Sequence, residues 1–266
     1  MLMRHPTLKA MHSHGAPAQT ISRPKEGDPV SDGEMATSHR SGVGMLLHLL
    51  KHSRIDLGNP VRELTMVLKS PALLAHKEML RIIKFVLDTA TMGSKLVPIF
   101  AKGQLEQRLI GASDSDWADD KDNRKSIITF ILFLNRVPIL WRSEQASIVA
   151  PSTAVAEHIV FGELAKQILF VAQILHSLGI PVQTPVTVHV DNMGAIFMVE
   201  NATSNQRTRH IDVKHRFLID LTEEGFLDVV FTNSANNTPD GLGKNVSKEV
   251  CQHHAPKFMA DKSIVD

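Results

Sequence analysis

The sequence lacks tyrosine altogether and has a single cysteine, Cys251, among its 266 residues. One cysteine excludes a disulfide framework and a cysteine-based zinc site, and it is typical of a reducing compartment. Net charge is also low, +1 at neutral pH, so any basic surface for nucleic acid must be local. We find no apolar run of about 18 residues and no signal-peptide core. We therefore expect an intracellular protein, cytoplasmic or nuclear, without a membrane partner.

What is present is an ordinary globular composition, with 43% apolar and 21% charged residues. Residues 1–38 are polar and rich in Pro, Gly, Ser and His, which predicts a disordered or non-homologous tail. Apolar residues at helical spacing follow, and we expect helices from Gly42, from about Asn59 and over residues 76–89. This helical segment ends near residue 94.

The pattern then changes from helices to strands. β-branched and aromatic runs predict strands at residues 95–100, 107–113, 127–134, 137–141, 186–190 and 226–232. Helical patterns separate the later ones, at residues 152–178, 193–200 and 211–224. Counted from residue 107, this order predicts an α/β domain with a mixed five-stranded sheet and helices packed on it.

Four carboxylates fall at the ends of these elements. Asp114 closes the strand predicted from residue 107, and Asp191 directly follows the strand VTVHV. Glu157 begins the apolar stripe of the long helix, where a buried carboxylate is costly unless something compensates it. Asp240 follows a Thr-Pro pair that predicts a helix start. If one sheet edge gathers them, divalent cations would offset their repulsion, and oxygen ligands favour Mg²⁺ or Mn²⁺.

The acidic run GASDSDWADDK, residues 111–121, has other interpretations. A calcium loop is excluded because the Asp-x-Asp-x-Asp-Gly spacing is missing. Asp119, Asp120 and Asp122 alternate with basic residues and predict a solvated turn. A single loop aspartate is more often a turn or cap residue than a ligand. From the residues alone, a turn and one corner of a metal site both stay open.

Several blocks in one order resemble the RNase H domain of copia-type LTR retrotransposon polyproteins. They are ASDSDWA (112–118), DNRKS (122–126), VDNMGAI (190–196) and TRHIDVK (208–214). Upstream, RSGVGMLL from Arg40 and KEMLRIIK from Lys77 resemble the C-terminal end of the reverse transcriptase in the same polyproteins. The resemblance implies an RNase H-like five-stranded domain at 95–260, a small helical reverse-transcriptase remnant at 39–94, and a tail at 1–38.

The resemblance also implies a chemistry. It puts the metal-binding, catalytic carboxylates of the family at Asp114, Glu157, Asp191 and Asp240. The implied reaction is hydrolysis of the RNA strand of an RNA–DNA hybrid with two Mg²⁺ ions, Mn²⁺ being an alternative. Other products of the same polyprotein are further implied partners, and no small-molecule cofactor is implied. Basic residues near these blocks are either phosphate contacts or a solvated face: Lys121, Arg124, Lys125, Arg207, Arg209 and Lys214.

Departures from the family pattern leave two alternatives open. Val155 replaces a family glutamate just before Glu157, and Gly241 and Gly243 enter the block around Asp240. The chain is therefore either an active nuclease or an inactive remnant that at most binds nucleic acid. A nuclease of the same fold acting on DNA is the more distant alternative. Without tyrosine the chain also lacks the Tyr-x-Asp-Asp motif of a polymerase palm, so we expect no DNA synthesis from it.

Overall fold

The computed structural model describes residues 21, 23–24, 33–100, 106–200 and 209–261, and for 209–215 and 248 it describes the backbone alone. The chain forms two compact units. The first comprises Met1–Ser94 with Lys244–Asp266, and the second comprises Lys95–Gly243. The domain boundaries predicted at residues 38, 94 and 260 stay a prediction. In the structure, residues 244–266 belong to the same compact unit as the N-terminal part of the chain.

The first unit is built from helices around an apolar core. Its helices are α1 (Gly33–His52), α2 (Gly58–Met66), α3 (Leu73–Asp88) and α8 (Lys248–Phe258), and its short strands are β1 (Met92–Ser94) and β7 (Met259–Asp261). Val43, Leu46, Leu64 and Met79 form part of its buried core. The three expected N-terminal helices are present, but α1 begins at Gly33, within the stretch whose composition predicts a tail.

Two contacts join the C-terminal residues to this first unit. β1 pairs antiparallel with β7. Before α8, the Asn245 side chain donates to Glu63 Oε1 at 2.9 Å and accepts from Asn59 Nδ2 at 3.0 Å. Burial raises the pKa of the Glu63 carboxyl, and the neighbouring Arg62 opposes this shift. A polar group this deep in a core is tolerated because it is hydrogen-bonded.

The second unit centres on a five-stranded sheet. Its strands are β2 (Leu109–Asp116), β3 (Ile127–Leu134), β4 (Val137–Gln145), β5 (Val186–Val190) and β6 (Leu227–Phe231). The spatial order is β4-β3-β2-β5-β6. The pairs β2–β3 and β3–β4 are antiparallel, whereas β2–β5 and β5–β6 are parallel. The expected RNase H-like mixed sheet with flanking helices is confirmed.

One predicted strand is wrong. Residues 95–100 form no strand, and four of their apolar side chains are exposed. Pro98 has no N–H to give to a ladder, and the backbone bond that this stretch makes runs from Ile99 N to Asn135 O at 3.0 Å. An apolar, β-prone stretch therefore did not become a strand here.

The long helix α4 (Thr153–Ser177) packs across the sheet. Ser152 caps it by accepting from Val155 N, and Leu164 and Ile168 are fully buried. The close approach of α4 to β2 depends on Gly111 in β2, because a Cβ there would lie 2.9 Å from Leu164 Cδ2. Among the described residues, α4 is the one helix long and apolar enough to cross a membrane, yet 56% of that stretch is buried within the fold.

The remaining elements of this unit are short helices on the same framework. They are α5 (Met193–Glu200), α6 (Arg209–Glu223) and α7 (Asp240–Gly243), with a 3-10 turn at Ser234–Asn236 before α7. α5 directly follows β5, and the 3-10 turn and α7 follow β6. The segments that come after β5 and β6 therefore lie at the C-terminal ends of these parallel strands, where ligand sites of α/β proteins form.

Candidate metal centre

Asp114 on β2 lies beside Asp191, which directly follows the neighbouring strand β5. In the parallel β2–β5 pair Ala112 stands opposite His189, so two residues further along each strand brings Asp114 next to Asp191 on one face. Asp114 is buried, and Asp191 is half-buried directly after β5. Ser234 Oγ donates to Asp191 Oδ2 at 2.9 Å. β2 continues past Asp114 to its last residue at position 116, so Asp114 lies within the strand and does not close it.

Glu157 reaches the same place from the second turn of α4. Its side chain is only 3% exposed, which confirms the prediction of a carboxylate on the buried helix stripe. The backbone N–H and the Oγ of Ser115 both donate to Glu157 Oε1 at 2.8 Å. Hydrogen bonds to a charged acceptor are stronger than neutral ones, so Ser115 fixes where this carboxylate lies.

The three carboxylates form one cluster. One oxygen each from Asp114, Glu157 and Asp191 lies within 4.8 Å of the others, and this is the one potential metal-ligand group in the described part of the chain. Like charges this close repel strongly, so the cluster is stable only if cations or protons sit among the oxygens. Carboxylate oxygens are hard ligands of the kind that Mg²⁺ and Mn²⁺ prefer, and the donor set fits a divalent ion.

Asp240 begins a helix that packs on the strand carrying Asp114, but it is not part of the three-residue cluster. It is the first residue of α7 and is half-buried. α7 packs against β2 and β3. Asn237, just before it, is fully buried, and its Nδ2 donates to Ser113 O at 2.9 Å. This hydrogen bond ties the segment just before Asp240 to β2, the strand that carries Asp114.

Gly243, at the end of α7, gives the altered Asp240 block a physical role. A Cβ at this position would overlap Thr129 Oγ1 and lie 3.0 Å from Thr129 Cβ. Thr129 is buried in β3 and pairs with Asp114 across the β2–β3 ladder. The glycine therefore allows α7 to approach the row of the sheet that holds Asp114.

The loop after β2 corrects part of the acidic-run prediction. Asp120 is buried and holds the loop together, accepting from the backbone N–H groups of Asp122 at 2.9 Å and Asn123 at 3.3 Å and from the Gln145 side chain. The prediction of a solvated turn is wrong for this residue because a short carboxylate can accept from its own turn. Asp119 and Asp122 are exposed, as a solvated turn requires.

The candidate phosphate contacts are only partly described. Lys121 and Arg124 are exposed and Lys125 is half-buried, all in the loop that leaves β2 at the acidic end of the sheet. Arg207 lies outside the described residues, and of Arg209 and Lys214 in α6 only the backbone is described. Their role as nucleic-acid contacts stays a prediction.

Three supporting residues were not foreseen from the sequence. Ser115 lies inside the ASDSDWA block, so its position in that motif was a usable signal. Ser234 and Asn237 sit in a stretch without periodicity, and nothing local marks them. Their contacts form only when residues about 40 and 120 positions away are brought together by the sheet.

The chain is 30% identical over 226 residues to the retrovirus-related Pol polyprotein from transposon TNT 1-94 of Nicotiana tabacum. It is 28% identical over 222 residues to the corresponding polyprotein from transposon RE1 of Arabidopsis thaliana. Over most of its length the chain is thus similar to copia-type retrotransposon Pol polyproteins. The alignments take in 83% and 84% of this chain but only 16% and 15% of those relatives. No protein-family model matches the chain.

A solved structure resembles half of this chain more distantly. It is LC11-RNase H1, isolated from compost by a metagenomic approach, with 14% identity and a TM-score of 0.39. The match covers 51% of this chain and 91% of that structure. The fold assignment rests on the strand order and strand directions given above.

Proposed function

We propose that the sheet-containing unit hydrolyses the RNA strand of RNA–DNA hybrids with two divalent metal ions. The observation that carries the proposal is the cluster of Asp114, Glu157 and Asp191, whose oxygens lie within 4.8 Å of one another. Serine side chains and a backbone N–H hold two of these carboxylates in place, because Ser115 donates twice to Glu157 and Ser234 donates to Asp191.

Asp114, Glu157, Asp191 and Asp240 would hold the ions, with Mg²⁺ the first choice and Mn²⁺ the alternative. Two ions at such a site activate a water and stabilise the leaving oxygen of a phosphodiester. The chain's own contribution is position. Ser115 holds the Glu157 oxygen from two sides, and the β2–β5 register sets the spacing of the two aspartates. A rigid strand pair is suited to this, because misplacement by about 1 Å can cost a hundredfold in rate.

The substrate class follows from the family and from local charge. The hybrid's backbone would contact basic side chains near the acidic end of the sheet, and this electrostatic part of binding weakens as salt rises. We assign this contact to Lys121, Arg124, Lys125, Arg207, Arg209 and Lys214. We further propose that the chain acts inside the cell, with other products of the same polyprotein as partners. We do not propose that this chain alone synthesises DNA.

The test is cleavage of a hybrid labelled on the RNA strand, in Mg²⁺ and then in Mn²⁺. Asp114→Asn keeps the size of the side chain and removes its charge, so we expect a loss of roughly a hundredfold or more. Asp119→Asn is the matched control, because Asp119 is an exposed aspartate in the adjoining loop. It should cleave at the original rate. Equal rates in the two variants, or cleavage without added metal, would contradict the proposal.

The second candidate is an inactive member of the family that binds hybrids without cleaving them. It is favoured by one observation: Asp240 is not among the three clustered ligands. A chain that binds the labelled hybrid but leaves it intact over a range of Mg²⁺ and Mn²⁺ concentrations would decide for this candidate.

A further inference from the structure

Trp117 is an exposed aromatic residue beside the acidic cluster. It directly follows β2, three positions after Asp114, and its side chain is 44% exposed. It is one of only two tryptophans in the chain. An exposed indole ring loses the stabilisation that burying its large apolar surface would give. The contacts around Trp117 therefore indicate whether the ring is exposed in order to bind a ligand.

The Trp117 side chain is fixed although it is exposed. Its indole N–H donates to Ala150 O at 2.9 Å, just before the capping residue of α4. The next residue, Ala118, has a left-handed φ of +53°, which is unfavourable for a residue with a Cβ, and its N–H donates to Ser126 Oγ at 3.2 Å. The ring and the backbone behind it are therefore pinned. A surface fixed in advance loses little entropy when a ligand contacts it.

Other exposed apolar side chains lie at the same end of the sheet. Met193 and Phe197 follow Asp191 on α5, one turn apart, and are 60% and 62% exposed. The start of α5 lies against the start of α4, since a Cβ at Gly194 would lie 3.2 Å from Ala154 Cβ. The chain therefore places exposed apolar side chains soon after both β2 and β5.

The chemistry of a hybrid selects the part that such a side chain can contact. Its bases are stacked inside the duplex and its phosphates need cations. Its sugars are exposed along a wide, shallow minor groove. We propose that Trp117 is a substrate-contacting residue that packs against sugars of the bound hybrid beside the acidic cluster. This inference rests on the proposed function for the identity of the nucleic acid.

Fluorescence of Trp117 itself provides the first test. Trp141→Phe leaves Trp117 as the single tryptophan, and acrylamide quenching then reports its exposure. The measurement uses an RNA–DNA hybrid in EDTA, so that cleavage does not interfere. We expect the quenching constant to fall by about half or more at saturating hybrid, because the exposed part of the ring becomes covered.

Affinity for the same hybrid provides the second test. Trp117→Ala should weaken binding roughly tenfold, and Trp117→Phe, which keeps an aromatic face, should recover most of the loss. Phe170→Ala is the matched control. Phe170 is 58% exposed but lies 13 residues further along α4 than Glu157, about 20 Å away. It should bind as the unaltered chain does.

The outcomes separate this inference from the proposed nuclease activity. A chain that binds hybrid with Trp117 covered but never cleaves it supports the inference and refutes the nuclease. Cleavage with an unchanged Michaelis constant in Trp117→Ala refutes the inference and leaves the nuclease intact. Unchanged quenching at saturation, equal affinities for the alanine variants at 117 and 170, or no binding of hybrid at all would also overturn it.

Discussion

Replacing Gly243 by alanine should disturb the metal centre through a single methyl group. The new Cβ would overlap Thr129 Oγ1 and lie 3.0 Å from Thr129 Cβ, a distance that real side chains seldom tolerate. Thr129 is 1% exposed and part of the β3 ladder, so it has little room to move. The strain is therefore relieved mainly by lifting α7 away from the sheet, and Asp240 at its start moves with it.

Gly243→Ala should lower the free energy of unfolding, because the added methyl group overpacks a buried contact. Adding a methyl group to a packed core costs about 1–3 kcal/mol of unfolding free energy. Gly162→Ala is the matched control in the same unit. A Cβ at Gly162, inside α4, would lie 3.9 Å from Leu218 Cδ1, which is an ordinary contact. That variant should be about 1 kcal/mol more stable, since alanine is the better helix former. The same substitution thus has opposite signs at the two sites.

Urea unfolding followed by tryptophan fluorescence is a suitable assay, because both tryptophans lie in the sheet-containing unit. Thr129→Ala removes the overlapping Oγ1 and should make Gly243→Ala much less harmful, with a coupling of about 0.5–3 kcal/mol in the double-mutant cycle. If the two changes are additive, or if Gly243→Ala is as stabilising as the control, the close approach of α7 to β3 is refuted.

Three further outcomes test other parts of the structure. Asn237→Ala should lower the unfolding free energy by about 1–3 kcal/mol, because it leaves the buried Ser113 carbonyl without its donor. Asp120→Ala should lower it by about 1–2 kcal/mol in urea titrations while Asp119→Ala changes it by less than about 0.5, whereas two equally solvated aspartates would give equally small changes. Burial raises the pKa of the Cys251 thiol to about 11, from the ordinary value of 9.0. Folded chain at pH 8 should therefore react with a thiol reagent about a hundredfold more slowly than unfolded chain. The neutral thiol favours folding below pH 9, and this contribution is lost as pH rises towards 11. Equal labelling rates at pH 8 would count against that burial.

Periodic parts of the sequence predicted the fold well. Alternating and β-branched runs located β2 to β6, and the apolar stripe beginning at Glu157 predicted both α4 and the burial of that carboxylate. These patterns persist because one face of each element must be buried. The position of Leu178 shows the limit at element ends: it continues the stripe in sequence but lies past the helix and is 67% exposed.

Features that depend on contacts distant in sequence could not be predicted in this way. Asp120 has the neighbours of a solvated loop residue, and only the fold brings the Gln145 side chain, 25 residues further on, to its carboxylate. Gly243 looks like a defect in a helix turn until Thr129 is placed against it. The stretch at 95–100 has strand-like composition without a strand partner. In each case local propensity was overridden because a tertiary partner is present or missing, which the sequence does not identify.

The most direct test of the metal centre is a crystal of the chain grown or soaked with Mn²⁺, with the ions located by their anomalous scattering. We expect two peaks about 4 Å apart, coordinated by oxygens of Asp114, Glu157 and Asp191. The Asp114→Asn variant should lose at least one of them. Saturating Mn²⁺ without a peak at these oxygens, or peaks that persist unchanged in Asp114→Asn, would contradict the account.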